Sequence, residues 1–381
     1  MADLLITLLV TNNIIRLYAI FVKKNRTYVW KFGVSIRLTL VLCEDIILCR
    51  KDFQKVVMDY IVLDLEWNQC PGGKDKENKE LPFEIVEIGA VRLDSMRRYA
   101  DEFHCLISPK VYRELHRITK DIIKLSMEDL DGGPDFVQAM KAFEEWCGRS
   151  GEYIFCTWGA MDLAELQRNC RYFHVEYKAP KPFVYYDVQK LYSLCYDDGK
   201  SREALETAVD ERGMRKDAPF HSAVYDAMYT AQLLEEMDFD KVSAYSSVDT
   251  FEIPKSRAEE FTLDYGTYSK YVSRGFADRD LVMHDPNVIS SRCYLCRKAV
   301  RKKIRWFSTN QKMYYNLGYC EEHGYLKGKI KIRRSYDGLY YAIKILKLTD
   351  EAGAQQVKQR QLSARQKRRK RRHKEKEKLR L

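Results

Sequence analysis

The sequence predicts an α/β fold in which helices flank a mixed β-sheet, with a small Cys/His module and a basic tail beyond it. Three observations carry this. Strand-like runs cluster between Tyr60 and Ser108 before helical and strand patterns begin to alternate. Cys293-x2-Cys296 pairs with Cys320-x2-His323, and the closing two dozen residues are overwhelmingly basic. The 381 residues suit two or three domains at roughly 100–200 residues each. The expected organisation is an N-terminal extension (1–57), an α/β domain (58–240), a connector (241–289), a basic zinc-ribbon-like module (290–345) and a disordered basic tail (346–381).

In residues 1–57, the apolar runs Leu4–Val10 and Leu38–Cys43 are broken up by Asn12, Asn13, Arg16, Lys23, Lys24, Arg37 and Glu44. None approaches the ~18–20 residues a membrane span needs. Asp3 stands where a secretory leader would be positive, and no small-residue cleavage site follows. Strand patterning begins abruptly after Met58, so Met58 is the expected functional start and residues 1–57 are expected to be dispensable.

The β-branched run Tyr60–Leu65 predicts a first strand, Phe83–Leu93 a second and Glu102–Ser108 a third. Phe136, Met140, Phe143 and Trp146 form one apolar stripe at helical spacing. Tyr153–Trp158 predicts a buried strand, Asp162–Tyr172 a helix, Phe183–Val188 a strand and Glu203–Arg212 a short helix. A long helix follows over His221–Met237. Residues 240–289 show weak periodicity, which predicts a connector with some helix. Within the last module, Ile304–Ser308 and Met313–Leu317 predict a hairpin.

Charge divides unevenly. The whole chain has 66 Lys and Arg against 55 Asp and Glu, a net of +11. Residues 358–381 hold 13 basic and 2 acidic groups, residues 290–344 hold 14 and 3, and residues 58–289 hold 29 and 44. An acidic body thus carries basic modules that would attract nucleic acid or acidic lipid. The 11 cysteines are odd in number and irregularly spaced. That excludes a secreted disulfide framework and predicts reduced thiols in the cytosol.

Asp64-Leu65-Glu66 ends the first strand. Side chains at i and i+2 share a strand face, so the two carboxylates stand together while Ile61, Leu63 and Leu65 face the opposite layer. Paired anions on oxygen ligands suit Mg²⁺ or Mn²⁺. Asp162 opens a helix after the buried strand, a place where an acid also complements the helix dipole. His221 and Asp226 open the late helix as His-x4-Asp, a pattern equally met as a surface His beside a paired Asp.

Taken in order, these motifs resemble the DEDDh exonucleases, the DnaQ-like branch of the ribonuclease-H-like superfamily. The likeness covers about Asp59 to Phe239, including Tyr60-Ile-Val-Leu-Asp-Leu-Glu66, Glu84-Ile-Val-Glu-Ile-Gly-Ala-Val91 and His221-Ser-Ala-Val-Tyr-Asp-Ala227. It is nearest to stand-alone 3′-to-5′ exonucleases, a group with sporulation-kinase-pathway inhibitors and small-RNA-trimming enzymes. The sister class places Tyr at position 222, which here is Ser. The resemblance implies a ribonuclease-H-like sheet and removal of nucleoside 5′-monophosphates from single-stranded 3′ ends, RNA somewhat favoured. It further implies that Asp64, Glu66, Asp162 and Asp226 hold two Mg²⁺ or Mn²⁺ ions about 4 Å apart, with His221 as general base. Leu65 and Trp67 become candidates to pack against the terminal nucleotide, although Trp67 reads more readily as core. A DNA repair or proofreading exonuclease and a non-catalytic regulatory protein are the alternatives left open.

Cys293, Cys296, Cys320 and His323 have the spacing of two tight turns that complete a tetrahedron around one structural Zn²⁺. Arg301, Lys302, Lys303 and Arg305 lie among Trp306, Tyr314, Tyr315 and Tyr319, a pattern suited to single-stranded nucleic acid. The tail, centred on Arg368–Arg372, would add affinity without sequence preference.

Overall fold

The computed structural model describes residues 58–177, 180–310 and 312–378, with side chains to Arg371, and the backbone of two hairpins before Trp30. Those hairpins pair β1 (Leu4–Val10) with β2 (Asn13–Ala19) and β3 (Phe21–Lys24) with β4 (Thr27–Trp30). Residues 31–57, with the expected apolar run Leu38–Cys43, lie outside the described residues. Met58–Leu381 form a compact unit of their own.

That unit holds two six-stranded sheets. In the first, β5 (Asp59–Gln69), β6 (Phe83–Leu93) and β7 (Tyr99–Leu106) make an antiparallel meander. Parallel to β5 runs β8 (Tyr153–Thr157), then β9 (Val184–Asp187), and the short β10 (Ser247–Val248) closes that edge antiparallel. The strand order β10-β9-β8-β5-β6-β7 gives the mixed sheet flanked by helices that the resemblance implies.

Alternation along β5 builds the layers. Ile61, Leu63 and Leu65 join Phe136, Met140, Phe143 and Leu166 beneath one face. Tyr60 and Val62 join Leu191, Val209, Ala227 and Leu233 beneath the other. The first layer is covered by helices Phe136–Cys147 and Met161–Tyr172, the second by Val188–Tyr196, Leu205–Glu211 and Ala223–Glu236. Hereafter α4 denotes Met161–Tyr172 and α7 denotes Ala223–Glu236, counting from Arg117–Ile123 as the first helix and Met127–Asp131 as the second.

The second sheet departs from expectation. Residues 241–289 are no mere connector, because they supply β11 (Phe261–Asp264) and β12 (Tyr268–Val272). β11 pairs with β12, and β12 pairs with β16 (Tyr340–Thr349), which continues into β15 (Gly324–Arg334), β14 (Met313–Cys320) and β13 (Arg301–Asn310). The Cys/His turns therefore sit at one end of an antiparallel sheet that extends well beyond a 290–345 ribbon. The tail also differs. Residues Glu351–Lys378 form a helix, α11 after two single-turn helices (Arg279–Val282, Pro286–Ile289) and Phe239–Val242. Ala354 and Val357 pack on Leu317, Ile304, Phe307 and Tyr325, so its first turns are anchored on the sheet, where the charge run alone predicts a disordered tail. No helix among the described residues is long and apolar enough to cross a membrane.

Candidate functional site

Three segments deliver the acids to one end of the mixed sheet. Strand β5 presents Asp64 and Glu66 on one face. Asp162 lies in the first turn of α4 after Gly159 (φ 106°) lets the chain reverse out of β8. The Leu65 backbone N–H lies near enough to the Asp162 carboxylate to favour the charged form. Asp226 lies in the first turn of α7 and accepts the backbone N–H of His221 at 3.1 Å.

His221 stands outside the helix with φ of 68°, a left-handed conformation that strains a residue bearing a β-carbon. The preceding loop fixes it there. Phe220 stacks on Tyr229 at 4.7 Å, and the Tyr229 hydroxyl donates to Ala218 O while accepting from Ala218 N–H. Ligand atoms of Glu66, His221 and Asp226 all lie within 4.8 Å of one another.

The acids are charged at each other's expense. Burial first, then Asp162, Asp226, Glu66 and Glu87, hold Asp64 well above the usual carboxylate range. Burial followed by Asp226, Glu87 and Asp162 pushes Glu66 up to about 8. Burial raises Asp162 to about 7 and Asp226 to about 6, against the N–H donors that oppose it. Asp226 Oδ1 is sealed from solvent and has no hydrogen-bond donor. Crowded oxygens and an orphaned carboxylate oxygen are the donor set a hard divalent cation satisfies. The residues fit Mg²⁺ or Mn²⁺.

Glu87 belongs to this cluster and escaped the sequence reading. It lies opposite Glu66 in the β5–β6 register and is 2% exposed. It accepts from Ser222 Oγ at 3.0 Å and Ala223 N–H at 3.1 Å, and it meets His104 Nε2 at 2.9 Å. A carboxylate from the sheet thus caps α7 from outside the helix. Two residues on, Gly89 makes room for that helix, since a β-carbon there would stand 2.1 Å from the Ala223 and Val224 backbone. The signal was an acid within the otherwise apolar run Ile85–Val91.

The other candidates scatter. Leu65 is 3% exposed and belongs to the apolar layer under the sheet. Trp67 packs on Phe83 at 5.7 Å between ring centres. Arg301, Lys302, Lys303 and Arg305 are exposed along β13, an edge strand, where charge also blocks unwanted pairing. Arg301 and Lys303 gather over Tyr319 at 5.8 and 5.4 Å, and Arg360 covers Tyr315 at 4.4 Å. Trp306 donates its indole N–H to Ile289 O at 2.8 Å. Cations over the faces of Tyr315 and Tyr319 and the Trp306 hydrogen bond engage these rings within the chain.

Cys293, Cys296, Cys320 and His323 do converge. Separations of 3.6 Å link Cys293 Sγ with His323 Nδ1, Cys296 Sγ with Cys320 Sγ, and Cys320 Sγ with His323 Nδ1. A tetrahedron with metal–sulfur bonds of ~2.3 Å has edges of ~3.8 Å, so the cage fits Zn²⁺. Arg297 (φ 61°) and Gly324 (φ 80°) turn the chain after each ligand pair.

A family profile described as "Exonuclease" (RNase_T) matches residues 61–234. The chain is 26% identical over 185 residues to a probable 3′-5′ exonuclease, KapD, of Bacillus subtilis (strain 168), spanning 48% of this chain and 85% of that one. It is 25% identical over 188 residues to the 3′-5′ exoribonuclease 1 of Mus musculus, spanning 47% of this chain and 53% of the mouse protein. Among solved structures, the nuclease domain of 3′hExo, a DEDDh family member bound to rAMP, aligns with TM-score 0.42 and 18% identity. That alignment covers 51% of this chain and 98% of the other.

Proposed function

Through residues 61–234 the chain belongs to the DEDDh 3′-to-5′ exonuclease family, and from this we propose that it trims nucleic acid 3′ ends, RNA before DNA, releasing nucleoside 5′-monophosphates. What supports the reading is the grouping of Glu66, His221 and Asp226 within 4.8 Å of one another, with Asp64 and Asp162 in electrostatic reach of the same acids. The preference for RNA leans on the exoribonuclease name of the mouse relative.

Asp64, Glu66, Asp162 and Asp226 would hold two Mg²⁺ or Mn²⁺ ions. Such ions supply charge neutralisation at the scissile phosphate and make a bound water more acidic. His221 takes the proton from the attacking water, and its neighbours Glu66 and Asp226 offset the positive charge it gains. The Asp226 carboxylate also holds the His221 backbone, so the base keeps its place relative to the acids. Cys293, Cys296, Cys320 and His323 would hold a structural Zn²⁺ that fastens the end of the second sheet.

The test is a 5′-labelled single-stranded 15-mer, as RNA and as DNA, incubated with Mg²⁺, Mn²⁺ or chelator. Stepwise shortening from the 3′ end with divalent ion, abolished in Asp64→Ala, is the expected result. Internal cuts, or an unchanged ladder from Asp64→Ala, would overturn the reading.

A further inference from the structure

The second sheet carries a row of cations that edge protection does not explain. Strand β15 is internal, flanked by β14 and β16. Its residues Leu326, Ile330 and Ile332 are buried, while Lys329, Lys331 and Arg333 alternate with them on the opposite, exposed face. Same-face neighbours on a strand recur every ~6.8 Å. The register extends this face sideways: Lys329 lies across from Ile345 on β16, and Ile345 across from Lys270 on β12. The cations crowd one another. Arg333, then burial, then Lys329 and Lys312 depress Lys331 below the usual lysine range, and burial followed by Arg333 depresses Lys270. Among the described residues, Lys270, Lys329, Lys331 and Arg333 form no ion pair with an acid (Asp187 faces Lys270 without bonding it).

This face is walled on both sides. At one end, α11 closes over Tyr315, Lys327, Lys329 and Ile345, leaving a 210 Å³ hollow beneath Gln356 and Arg360. At the other, the nuclease sheet leans against it and encloses a cleft of about 700 Å³. Lys270, Arg333 and Arg334 line that cleft from the second sheet, and Lys79 and Arg168 line it from the nuclease side. Its acids are already engaged, Asp187 by the Lys190 N–H and Asp249 by Gln167 and the Phe251 N–H. The cleft runs up to Ala160, two residues before Asp162. Tyr336, Phe251 and Tyr341 add aromatic walls along it.

We propose that this trough, floored by Lys270, Lys329, Lys331 and Arg333, is the track that holds the single strand 5′ of the scissile linkage and feeds its 3′ end to the carboxylates. The proposal rests on the exonuclease reading for the direction of the strand, but not for the binding itself. A polyanion relieves the crowded cations just as divalent ions relieve the crowded acids.

The test compares the full chain with Lys329→Ala/Lys331→Ala/Arg333→Ala and with a charge-matched edge-strand control, Arg301→Ala/Lys302→Ala/Lys303→Ala. Binding of a fluorescent single-stranded 15-mer RNA is measured by anisotropy in chelator across a salt series. All three target residues are exposed, so an unchanged melting temperature will show that the fold persists. The trough variant should lose at least tenfold in affinity, and its salt slope should fall by about 2, as the loss of three phosphate contacts requires. The edge control should lose much less. The ratio of kcat/KM on the 15-mer to kcat/KM on a dinucleotide should also drop at least tenfold. Equal losses in the two variants, or none in the trough variant, would overturn the track. Failure of the full chain to cleave either substrate would refute the exonuclease reading instead, with the binding comparison still deciding the track.

Discussion

Glu87 accepts hydrogen bonds from Ser222 and from the buried first turn of α7, and α7 in turn holds both His221 and Asp226 in place. It touches none of the reacting atoms and acts through position. Glu87→Ala should leave the Ala223 N–H buried and unpaired, at a cost of about 1–3 kcal/mol. It should lower kcat more than it raises KM, and Glu87→Gln should restore part of the loss. Equal activity in wild type and Glu87→Ala would remove the residue from this role. For His221→Ala, loss of a general base predicts turnover slowed by about 10²–10⁴ with little change in KM. Asp226→Asn should abolish divalent-dependent hydrolysis and, by removing a crowded charge, raise the melting temperature of the metal-free protein near pH 8. Calorimetry in chelator reads that directly.

At the scale of elements, β5, β6, β8 and β9 were legible because each buries a β-branched or apolar run, whereas the two-residue β10 was not. The ligand acids were legible because spacing alone puts Asp64 and Glu66 on one face. Glu87 was hidden by its partners, which come from 135 and 136 residues away. Strands β11 and β12 escaped notice for a similar reason: they are 4 and 5 residues long, and the pair is tied into the sheet only where β12 meets β16, far along the chain. Strand β15 shows strict alternation of Leu326, Gly328, Ile330 and Ile332 with Lys327, Lys329, Lys331 and Arg333, but its composition reads first as a basic region. The α11 helix was masked by its charge, since among the described residues only Gly353, Ala354, Val357 and Ala364 mark its buried side. Two predictions belong here. Gly89→Ala should force α7 off the sheet, destabilising the protein by about 1–3 kcal/mol and lowering activity together with it, as a denaturant titration and a rate measurement would show. Cys293→Ser should disorder the two ligand turns and lower the melting temperature. Metal analysis of protein purified without chelator should find one Zn²⁺ per chain in wild type and none in the variant.

Across the whole molecule, anions and cations are concentrated in separate places and each is left partly unneutralised. An acidic nuclease body meets a basic sheet along one cleft, which favours a ligand carrying both phosphates and divalent ions. The pH dependence of stability follows from the acids. Glu66, Asp162 and Asp226 bind protons more tightly in the fold, at about 8, 7 and 6, than in the unfolded chain. The folded metal-free protein therefore holds more protons than the unfolded one above pH ~4, and its stability declines as pH rises through that window. Thermal denaturation in chelator should show a falling melting temperature from about pH 5 to pH 8, and Mn²⁺ should reverse most of the fall at the upper end. A melting temperature that instead rises over this range would contradict the crowding of the acids.

The most direct measurement is an anomalous diffraction map from crystals grown with Mn²⁺ and a nucleoside 5′-monophosphate. Two Mn²⁺ peaks bounded by Asp64, Glu66, Asp162 and Asp226, with the nucleotide phosphate against them and His221 facing it, are the predicted result. Ions absent from that cluster at millimolar Mn²⁺, or a nucleotide bound away from it, would contradict the account.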